Sequence, residues 1–210
     1  MTAGAANAGV ATARPTRRDE QRDRILDVSR SILEQEGAKA LTIRRLAEAI
    51  DRTQPAIYSH FSSKEALLAR LVIEGFGALS EALAAASKSK QGSPLLAISK
   101  AYIAFGTSKP HLYDAMFVGD TTITFAAGAN TPAVARGAFD LLRNVCRATA
   151  SKSAKVADDE TRTEVYWAAL HGLVMLANNQ RLRVGVGFAM ARLRALVALI
   201  ECGVEIKAAT

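Results

Sequence analysis

Residues 41–64, LTIRRLAEAIDRTQPAIYSHFSSK, decide the fold, because they predict two short helices joined by a tight turn. Thr42 and Thr53 are placed to cap these helices, since a Thr hydroxyl can accept a hydrogen bond from a free N–H group of the first turn. Pro55 falls in the first turn of the second helix, where its missing N–H has no intrahelical partner to lose. We predict that the first helix ends near Ile50 and the second near His60. This order is that of a helix-turn-helix unit.

The two sides of this unit differ in polarity. Apolar side chains are spaced to pack inward, and they are Ile43, Leu46, Ala47, Ile50, Ile57 and Phe61. The outer side of the second helix is then small and polar, with Thr53, Gln54, Ala56, Ser59 and His60. A helix with few acidic side chains on its outer side can enter the major groove of DNA, which is about 12 Å wide. We therefore predict that the second helix contacts duplex DNA, with Thr53 among the contacts.

The side chains at the start of this surface suit base edges. Arg44 can give two donors to guanine, and Gln54 can pair with the edge of an adenine. The methyl group of Ala56 and the ring of Pro55 can touch a thymine methyl group. These four residue types favour direct contact with bases.

Other side chains are better placed for phosphates. Thr42, Tyr58 and Lys64 flank the base-contacting residues, and Lys64 lies at a helix N-terminus, whose free N–H groups also attract phosphate. For any one residue a second interpretation is open: Tyr58 and His60 can be packing residues, and Arg44 can be a solvated surface charge. The combined pattern of cap, turn, capped helix and Tyr-x-x-Phe-x-x-Lys favours DNA binding.

Three segments of this stretch closely resemble the tetracycline-repressor family of bacterial transcriptional regulators. They are residues 41–47 (LTIRRLA), 54–58 (QPAIY) and 60–67 (HFSSKEAL), within a resemblance that covers about residues 22–70. The resemblance implies that the residues facing base edges are Arg44, Gln54, Pro55 and Ala56. It implies that the residues holding the DNA backbone are Thr42, Tyr58, His60 and Lys64.

The turn departs from the family pattern. The family usually has Gly followed by an apolar residue where this chain has Asp51-Arg52. Asp tolerates the left-handed conformation better than most residues, so we expect the turn to survive at some cost. The turn then lacks a buried apolar anchor at position 52, and the Arg52 side chain can contact a phosphate. Upstream, Arg14, Arg17 and Arg18 form either a solvated tail or an arm that reaches a minor groove or phosphates.

Composition indicates an all-helical globular protein. The 210 residues are 50% hydrophobic and 22% charged, rich in Ala and Leu, and without hairpin signals. The net charge is +7, but residues 1–65 hold 11 Lys and Arg against 9 Asp and Glu, so only +2 of it lies on the motif. Charge alone is therefore weak support for DNA binding.

We expect no metal, no cofactor, no disulfide framework, no secretory signal and no membrane span, and hence a cytoplasmic protein.

The rest of the chain predicts a larger helical region. We expect a flexible arm over residues 1–17, a DNA-binding domain over 18–65 and a regulatory and dimerisation domain over 66–210. Ser62 at the cap and Glu65 three residues later predict a capping box before a long helix that ends near Ser87. Further helices are expected over 94–105, 111–117, 132–151, 158–179 and 186–202, with a break at 106–110 and an irregular loop over 118–130.

Residues 165–173, VYWAALHGL, resemble the Trp-x-x-x-His-Gly signature of one C-terminal domain class in the same family. The resemblance implies a domain that forms a homodimer and binds a small, apolar or aromatic effector. Candidate pocket residues are Phe105, Tyr113, Met116, Phe117, Phe125, Phe139, Trp167, His171 and Met175. Candidate dimer contacts are Ala168, Gly172, Leu193, Leu196, Val197 and Ile200. For each set the alternative is ordinary core packing within one chain.

We predict a homodimeric transcriptional regulator, most simply a repressor, that binds a palindromic operator in double-stranded DNA and is released by an effector. An enzyme is disfavoured, because the sequence contains no nucleophile elbow, phosphate-binding Gly loop or metal cluster. The remaining alternative is a helical adaptor or ligand-binding protein that does not bind DNA, which would have no need for a polar outer side on the second helix.

Overall fold

The computed structural model describes residues 16–89, 92–118, 133–149, 158–182 and 186–202, and within these ranges the regular structure is α-helical. The helices are α1 (Arg17–Glu36), α2 (Ile43–Ala49), α3 (Gln54–Tyr58), α4 (Lys64–Ser87), α5 (Pro94–Ser108), α6 (Pro110–Phe117), α7 (Ala133–Thr149), α8 (Asp159–Asn178) and α9 (Val186–Cys202). The predicted all-α class is confirmed. We call α1–α3 with their turns, residues 16–63, the head, and α4–α9 the body.

The head is built around apolar side chains from all three of its helices. The six residues predicted to face inward are buried, with Leu46 and Ile57 wholly inaccessible. Ala47 is buried in the same core, and α2 and α3 pack against each other. Because this apolar side is buried, the residues on the opposite side of α2 and α3 are exposed.

The caps of the head follow the sequence in part. The Thr42 hydroxyl accepts a hydrogen bond from the Arg45 N–H group, as predicted. Thr53 has the extended backbone of a cap but makes no side-chain capping hydrogen bond. The cap of α4 is Ser63 rather than Ser62, and its hydroxyl accepts from the Ala66 N–H group. The prediction for Ser62 was wrong by one residue because adjacent Ser residues both carry a suitable hydroxyl.

The turn between α2 and α3 survives the Asp51-Arg52 sequence. Asp51 has φ 54°, the left-handed conformation that the turn requires. The Arg52 guanidinium donates a hydrogen bond of 2.8 Å to the Asp51 carbonyl oxygen, and the Arg52 side chain is exposed. The turn therefore keeps its shape without a buried anchor at Arg52.

The body is organised around α4 and α5. Helix α4 packs against α5, α6 and α7, while α5 also contacts α8 and α9. Helix α5 continues through Gly106 to Ser108, so the predicted break at 106–110 is confined to Lys109. Gly106 serves close packing instead: a Cβ atom added to it would lie 2.5 Å from Val174 Cγ1 and 3.0 Å from the Tyr113 ring.

The head contacts the body through α1, which packs on α6 and α4. Arg30 of α1 donates to Glu74 of α4 at 2.8 Å, and this pair raises the pKa of the Arg30 guanidinium. Gly37 ends α1 with φ 85°, and a Cβ atom added there would lie 3.3 Å from His111 Nδ1 of α6. The end of α1 and the start of α6 are therefore in close contact.

Several sequence predictions fall outside the described residues. They concern the part of the predicted arm up to residue 15 with Arg14, the predicted loop over 118–130 after Val118 with Phe125, and the predicted helix start at Pro132. Arg17, assigned to the arm, is instead the first residue of α1, because Thr16 caps the helix there. The last helix spans Val186–Cys202, as predicted. None of the described helices combines the length and apolar character needed to span a lipid bilayer.

Candidate functional site

The outer side of α2 and α3 is polar and accessible. Among the predicted DNA contacts, the exposed ones are Thr42, Arg44, Thr53, Gln54, Pro55 and Tyr58, and the half-buried ones are Ala56, His60 and Lys64. Tyr58 is 50% exposed, although it follows the fully buried Ile57. The Tyr58 side chain is therefore accessible to a partner outside the chain.

The two arginines of α2 have different surroundings. Arg45 is paired with Glu36 of α1, so its guanidinium belongs to the structure of the head. Arg44 lies 3.8 Å from Glu48 on the exposed side of the same helix, too far for a hydrogen bond. An exposed pair of this kind contributes little to stability. The guanidinium of Arg44 is therefore less constrained than that of Arg45.

A groove lies where the end of α3 meets the start of α1. It has a volume of about 290 Å³ and is lined by Arg17, Arg18, Gln21, Ser59 and His60. His60 Nδ1 is buried and has no hydrogen-bond partner among the described residues. The sequence pattern identified His60 and the arginines separately, but it did not place them at one groove, and it gave no sign of Gln21.

A second polar cluster lies inside the body. Trp167 Nε1 of α8 is 2.9 Å from the hydroxyl of Tyr102 on α5, which is 2.9 Å from the hydroxyl of Tyr113 on α6. The Tyr113 hydroxyl is 2.7 Å from His171 Nδ1 of α8. The four side chains form one hydrogen-bonded chain across three helices.

In this hydrogen-bonded chain of side chains, each donor points toward His171. An indole N–H can only donate, so the Tyr102 oxygen accepts from Trp167 and its own proton is free for Tyr113. Tyr113 then donates to His171 Nδ1, which places the imidazole proton on Nε2. Burial raises the pKa of Tyr102 to about 12 and lowers the pKa of His171, so every member is neutral near neutral pH.

Five of the predicted pocket residues meet around this chain. The rings in contact are those of Tyr113, Phe117, Phe139, Trp167 and His171. Phe105 and Met116 are buried in the core of the body, and Met175 is half-buried on α8. Tyr102 was not predicted: helical spacing with Ile98 and Phe105 indicates that it is buried, but nothing in the sequence indicates the partner of its hydroxyl.

The predicted dimer contacts divide into two groups. Leu193 and Val197 are buried against their own chain and form the inner stripe of α9. Ala168 is exposed, and Gly172, Leu196 and Ile200 are half-buried. Among the side chains of α8 and α9 that the structure describes, the large apolar ones that are exposed are Val165 at 60%, Leu176 at 44% and Leu199 at 57%.

Family comparisons cover both parts of the chain. Residues 25–71 match the family described as bacterial regulatory proteins, tetR family. Residues 95–200, about half of the chain, match the tetracyclin repressor-like C-terminal domain. The first match includes the helix-turn-helix unit, and the second includes the polar chain of the body.

Individual proteins agree with these matches. An uncharacterised HTH-type transcriptional regulator of Bacillus subtilis (strain 168), YobS, is 27% identical over 92 residues, which span 43% of this chain and 48% of that protein. A protein of unknown function from Rhodococcus sp. RHA1 has the same fold, with TM-score 0.73, 20% identity and coverage of 94% and 99% of the two chains. The TetR-family transcriptional regulator PfmR from Thermus thermophilus superposes with TM-score 0.61, 21% identity and coverage of 87% and 100%. The chain belongs to the tetracycline-repressor family and is a DNA-binding transcriptional regulator.

Proposed function

We propose that the chain is a homodimeric repressor whose two heads bind a palindromic operator and whose body releases it when an effector binds. The observation that supports the DNA contact is the accessible polar side of α3, where Gln54 and Tyr58 are exposed beside the buried Ile57. A single helix contacts few bases, so paired half-sites are the usual route to specificity.

Selection of bound sequences from random duplex DNA tests this proposal. We expect a palindromic motif, and we expect Arg44→Ala and Gln54→Ala each to weaken discrimination by roughly 1–3 kcal/mol at one base position. Arg45→Ala is the matched control, because it removes the same charge from the same helix but from a side chain paired with Glu36. A preference that Arg44→Ala and Gln54→Ala leave unchanged would contradict the proposed base contacts.

We propose that the other contacts of the head are to the DNA backbone, from Thr42, Thr53, Tyr58, His60 and Lys64, with Pro55 and Ala56 against the bases. The exposure of Thr42, Thr53, Pro55 and Tyr58 supports this. Substitutions at backbone contacts weaken binding to every sequence alike, whereas those at base contacts change the preferred sequence. Binding curves of each alanine variant on selected and scrambled duplexes separate the two groups.

For the dimer we propose the outer sides of α8 and α9, which carry the exposed Val165, Leu176 and Leu199. Ala168 and Gly172 permit close approach on α8, and Leu196 and Ile200 lie half-buried on α9. Leu199→Glu is expected to yield monomers in sedimentation. Burying an unpaired carboxylate in an apolar interface carries a large desolvation penalty, which opposes dimer formation. Val118→Glu, at another exposed apolar position, is expected to leave the dimer intact. Two variants with equal sedimentation would contradict this interface.

We propose that an apolar or aromatic effector binds at the aromatic cluster of the body, near Trp167 and His171. The support is that this cluster joins α5, α6 and α8, and that α6 packs directly on α1 of the head. An effector changes DNA affinity only if it binds unequally to two forms of the dimer, one whose heads fit the operator and one whose heads do not. Loss of operator binding on addition of a small molecule, abolished by Trp167→Ala, is the expected result. A cytoplasmic location and domain limits of 18–65 and 66–210 are part of the same proposal.

A further inference from the structure

The hydrogen-bonded chain of the body ends on an N–H group that has no acceptor among the described residues. Since His171 Nδ1 accepts from Tyr113, the imidazole proton lies on Nε2. Within the described ranges, the imidazole makes no hydrogen bond besides the one at Nδ1. The inaccessible side-chain nitrogen and oxygen atoms that lack a hydrogen-bond partner there are Glu34 Oε1 and His60 Nδ1, so His171 Nε2 is accessible. Its N–H group can therefore donate to an acceptor outside the protein chain.

The surroundings of this N–H group are aromatic. The His171 ring lies 5.6 Å from the Phe117 ring and 6.3 Å from the Trp167 ring, measured between centroids. The Phe139 ring lies edge-on to the Trp167 ring at 6.3 Å. All four side chains are half-buried, so part of each remains uncovered. A molecule that binds there gains most by placing an apolar or aromatic part against these rings.

The surroundings of His171 supply no counter-charge for an ionised ligand. The pKa of His171 is lowered by burial, and no charged group of the described residues contributes to that shift. The nearby acid, Asp114, acts on Tyr113 instead: burial, then Tyr102 and last Asp114 raise the pKa of Tyr113. A cationic or anionic ligand would therefore lose its hydration at His171 without gaining an ion pair, which is costly.

The direction of the hydrogen-bonded chain also opposes a charged imidazole. A doubly protonated His171 would donate from Nδ1 to the Tyr113 oxygen. That oxygen already accepts from Tyr102, whose own oxygen accepts from the Trp167 N–H group. The Tyr113 proton would then have no acceptor in the described part of the body, and a buried hydroxyl without a partner costs free energy. Trp167 thus keeps His171 neutral, with Nε2 as a donor.

We propose that the effector is a neutral aromatic or apolar molecule with a carbonyl-type oxygen, and that His171 Nε2–H donates to this oxygen. The proposal rests on the effector function proposed above and adds the polar group that the site recognises. A hydrocarbon of the same shape leaves the N–H group without an acceptor, and an amine places a donor against it. A carboxylate can accept the hydrogen bond but must bury a charge that nothing there compensates.

Four small molecules of similar size test this selectivity. Acetophenone carries the neutral carbonyl group, and α-methylstyrene replaces its oxygen by a CH2 group. Benzoate supplies the anion and α-methylbenzylamine the cationic donor. The protein has three His residues and one Trp, so the ring signals of ¹⁵N-labelled full-length protein are few, and the Trp167 indole N–H signal reports binding. His171→Phe identifies the His171 signals by their loss.

Titration of the parent protein should give one order of affinity. In the free protein we expect the His171 signals of the Nε2–H tautomer. Acetophenone should shift both Trp167 and His171 Nε2, and bind about tenfold more tightly than α-methylstyrene, because only the ketone accepts the hydrogen bond. Benzoate and α-methylbenzylamine should bind more weakly than acetophenone as well.

Two variants separate the donor from its orientation. His171→Phe keeps an aromatic ring but removes the donor, so acetophenone should bind no better than α-methylstyrene. Trp167→Phe removes the indole N–H group that sets the direction of the hydrogen-bonded chain, so the preference for acetophenone over benzoate should shrink, measured on the His171 signals. Tyr166→Phe is the matched control: it removes a buried hydrogen-bonding group from the same helix, one that contacts Ser99 and the Leu95 carbonyl oxygen. It should leave the order of the four molecules unchanged.

The failure of this proposal differs from the failure of the effector site. If α-methylstyrene or benzoate shifts the Trp167 signal and binds as tightly as acetophenone, the site stands but the proposed hydrogen bond is wrong. An Nδ1–H tautomer of His171 in the free protein would also overturn the proposal. If none of the four molecules shifts the Trp167 or His171 signals, both the proposal and the effector site at this cluster are contradicted, while DNA binding by the head is unaffected.

Discussion

The head and the body use polar side chains in opposite ways. In the head, Gln54 and Tyr58 lie outside a compact apolar core, and their side chains are exposed. In the body, Tyr102 and Tyr113 lie inside the core, and their hydroxyl groups are satisfied by Trp167 and His171. The head is therefore prepared for a partner outside the chain. The body uses its polar groups to join its own helices α5, α6 and α8, and α6 also packs on α1.

Gly106→Ala should produce the largest effect, because at this position α5 approaches α6 and α8 of the body closely. The new Cβ atom would lie 2.5 Å from Val174 Cγ1 and 3.0 Å from the Tyr113 ring. Forcing extra volume into such a site costs roughly 1–3 kcal/mol. We expect a loss of this size in urea unfolding.

Gly137→Ala and Gly172→Ala are the controls for this prediction, since a Cβ atom at either position meets nothing within 4 Å. Gly137→Ala should raise stability by up to about 1 kcal/mol through helix propensity. If Gly106→Ala is tolerated equally well, α5 and α8 do not pack as described. If Gly172→Ala weakens the dimer while the folded subunit is unaffected, a partner covers that position, which supports the proposed interface.

Tyr113→Phe and Tyr58→Phe make the same chemical change in the two regions. Removal of the Tyr113 hydroxyl leaves the Tyr102 proton without an acceptor and His171 Nδ1 without a donor, at a cost of about 1–3 kcal/mol. Removal of the exposed Tyr58 hydroxyl should change stability by less than about 0.5 kcal/mol while weakening DNA binding. Unfolding and DNA-binding measurements on both variants test this. Equal stabilities would show that the buried hydrogen bonds of Tyr113 contribute nothing to the stability of the fold.

The same contrast explains what could be predicted from the sequence. The head is encoded locally: the caps, Pro55 and the spacing of Leu46, Ile50 and Ile57 predicted α2 and α3 and their exposed residues. The body depends on contacts between residues distant in the chain. Gly106 suggested a helix break because a glycine that allows a turn and one that allows close packing have the same sequence signature.

The apolar stripe of α9 shows a related limit. Leu193 and Val197 repeat at helical spacing, which indicates a buried side of the helix but not which chain buries it. The structure assigns both to the core of their own subunit, whereas Leu199 on the same helix is exposed. Likewise, spacing indicates that Tyr102 is buried but cannot identify the indole and phenol that meet its hydroxyl.

Thr42→Ala and Thr53→Ala compare two caps that the sequence treats alike. Thr42 accepts a hydrogen bond of 3.2 Å from the Arg45 N–H group, whereas Thr53 makes no capping hydrogen bond. Loss of the Thr42 cap should cost about 1 kcal/mol, and loss of the Thr53 side chain a few tenths of that, roughly 0.3 kcal/mol. Thermal unfolding of the two variants measures the difference. Equal losses would mean that Thr53 caps α3 in solution.

The pH dependence of stability should show the smallest effect. Burial lowers the pKa of His171 below its ordinary value of 6.5, so the unfolded chain binds this proton more readily than the folded chain. Stability is then fully present above about pH 6.5 and falls as pH decreases toward the folded pKa. The effect is modest because His171 is only half-buried.

Urea unfolding of the parent and of His171→Gln, at about pH 7.5 and about pH 5.5, isolates this contribution. The carboxyl groups whose pKa values are lowered, Asp19, Glu65 and Asp158, titrate below this window and contribute equally to both proteins. We expect the parent to lose more stability than the variant on acidification, since only the parent must keep a neutral imidazole to accept from Tyr113. If the parent loses no more stability than the variant, His171 gains its proton without breaking the hydrogen bond from Tyr113. The inference that Tyr113 donates to His171 Nδ1 would then be wrong.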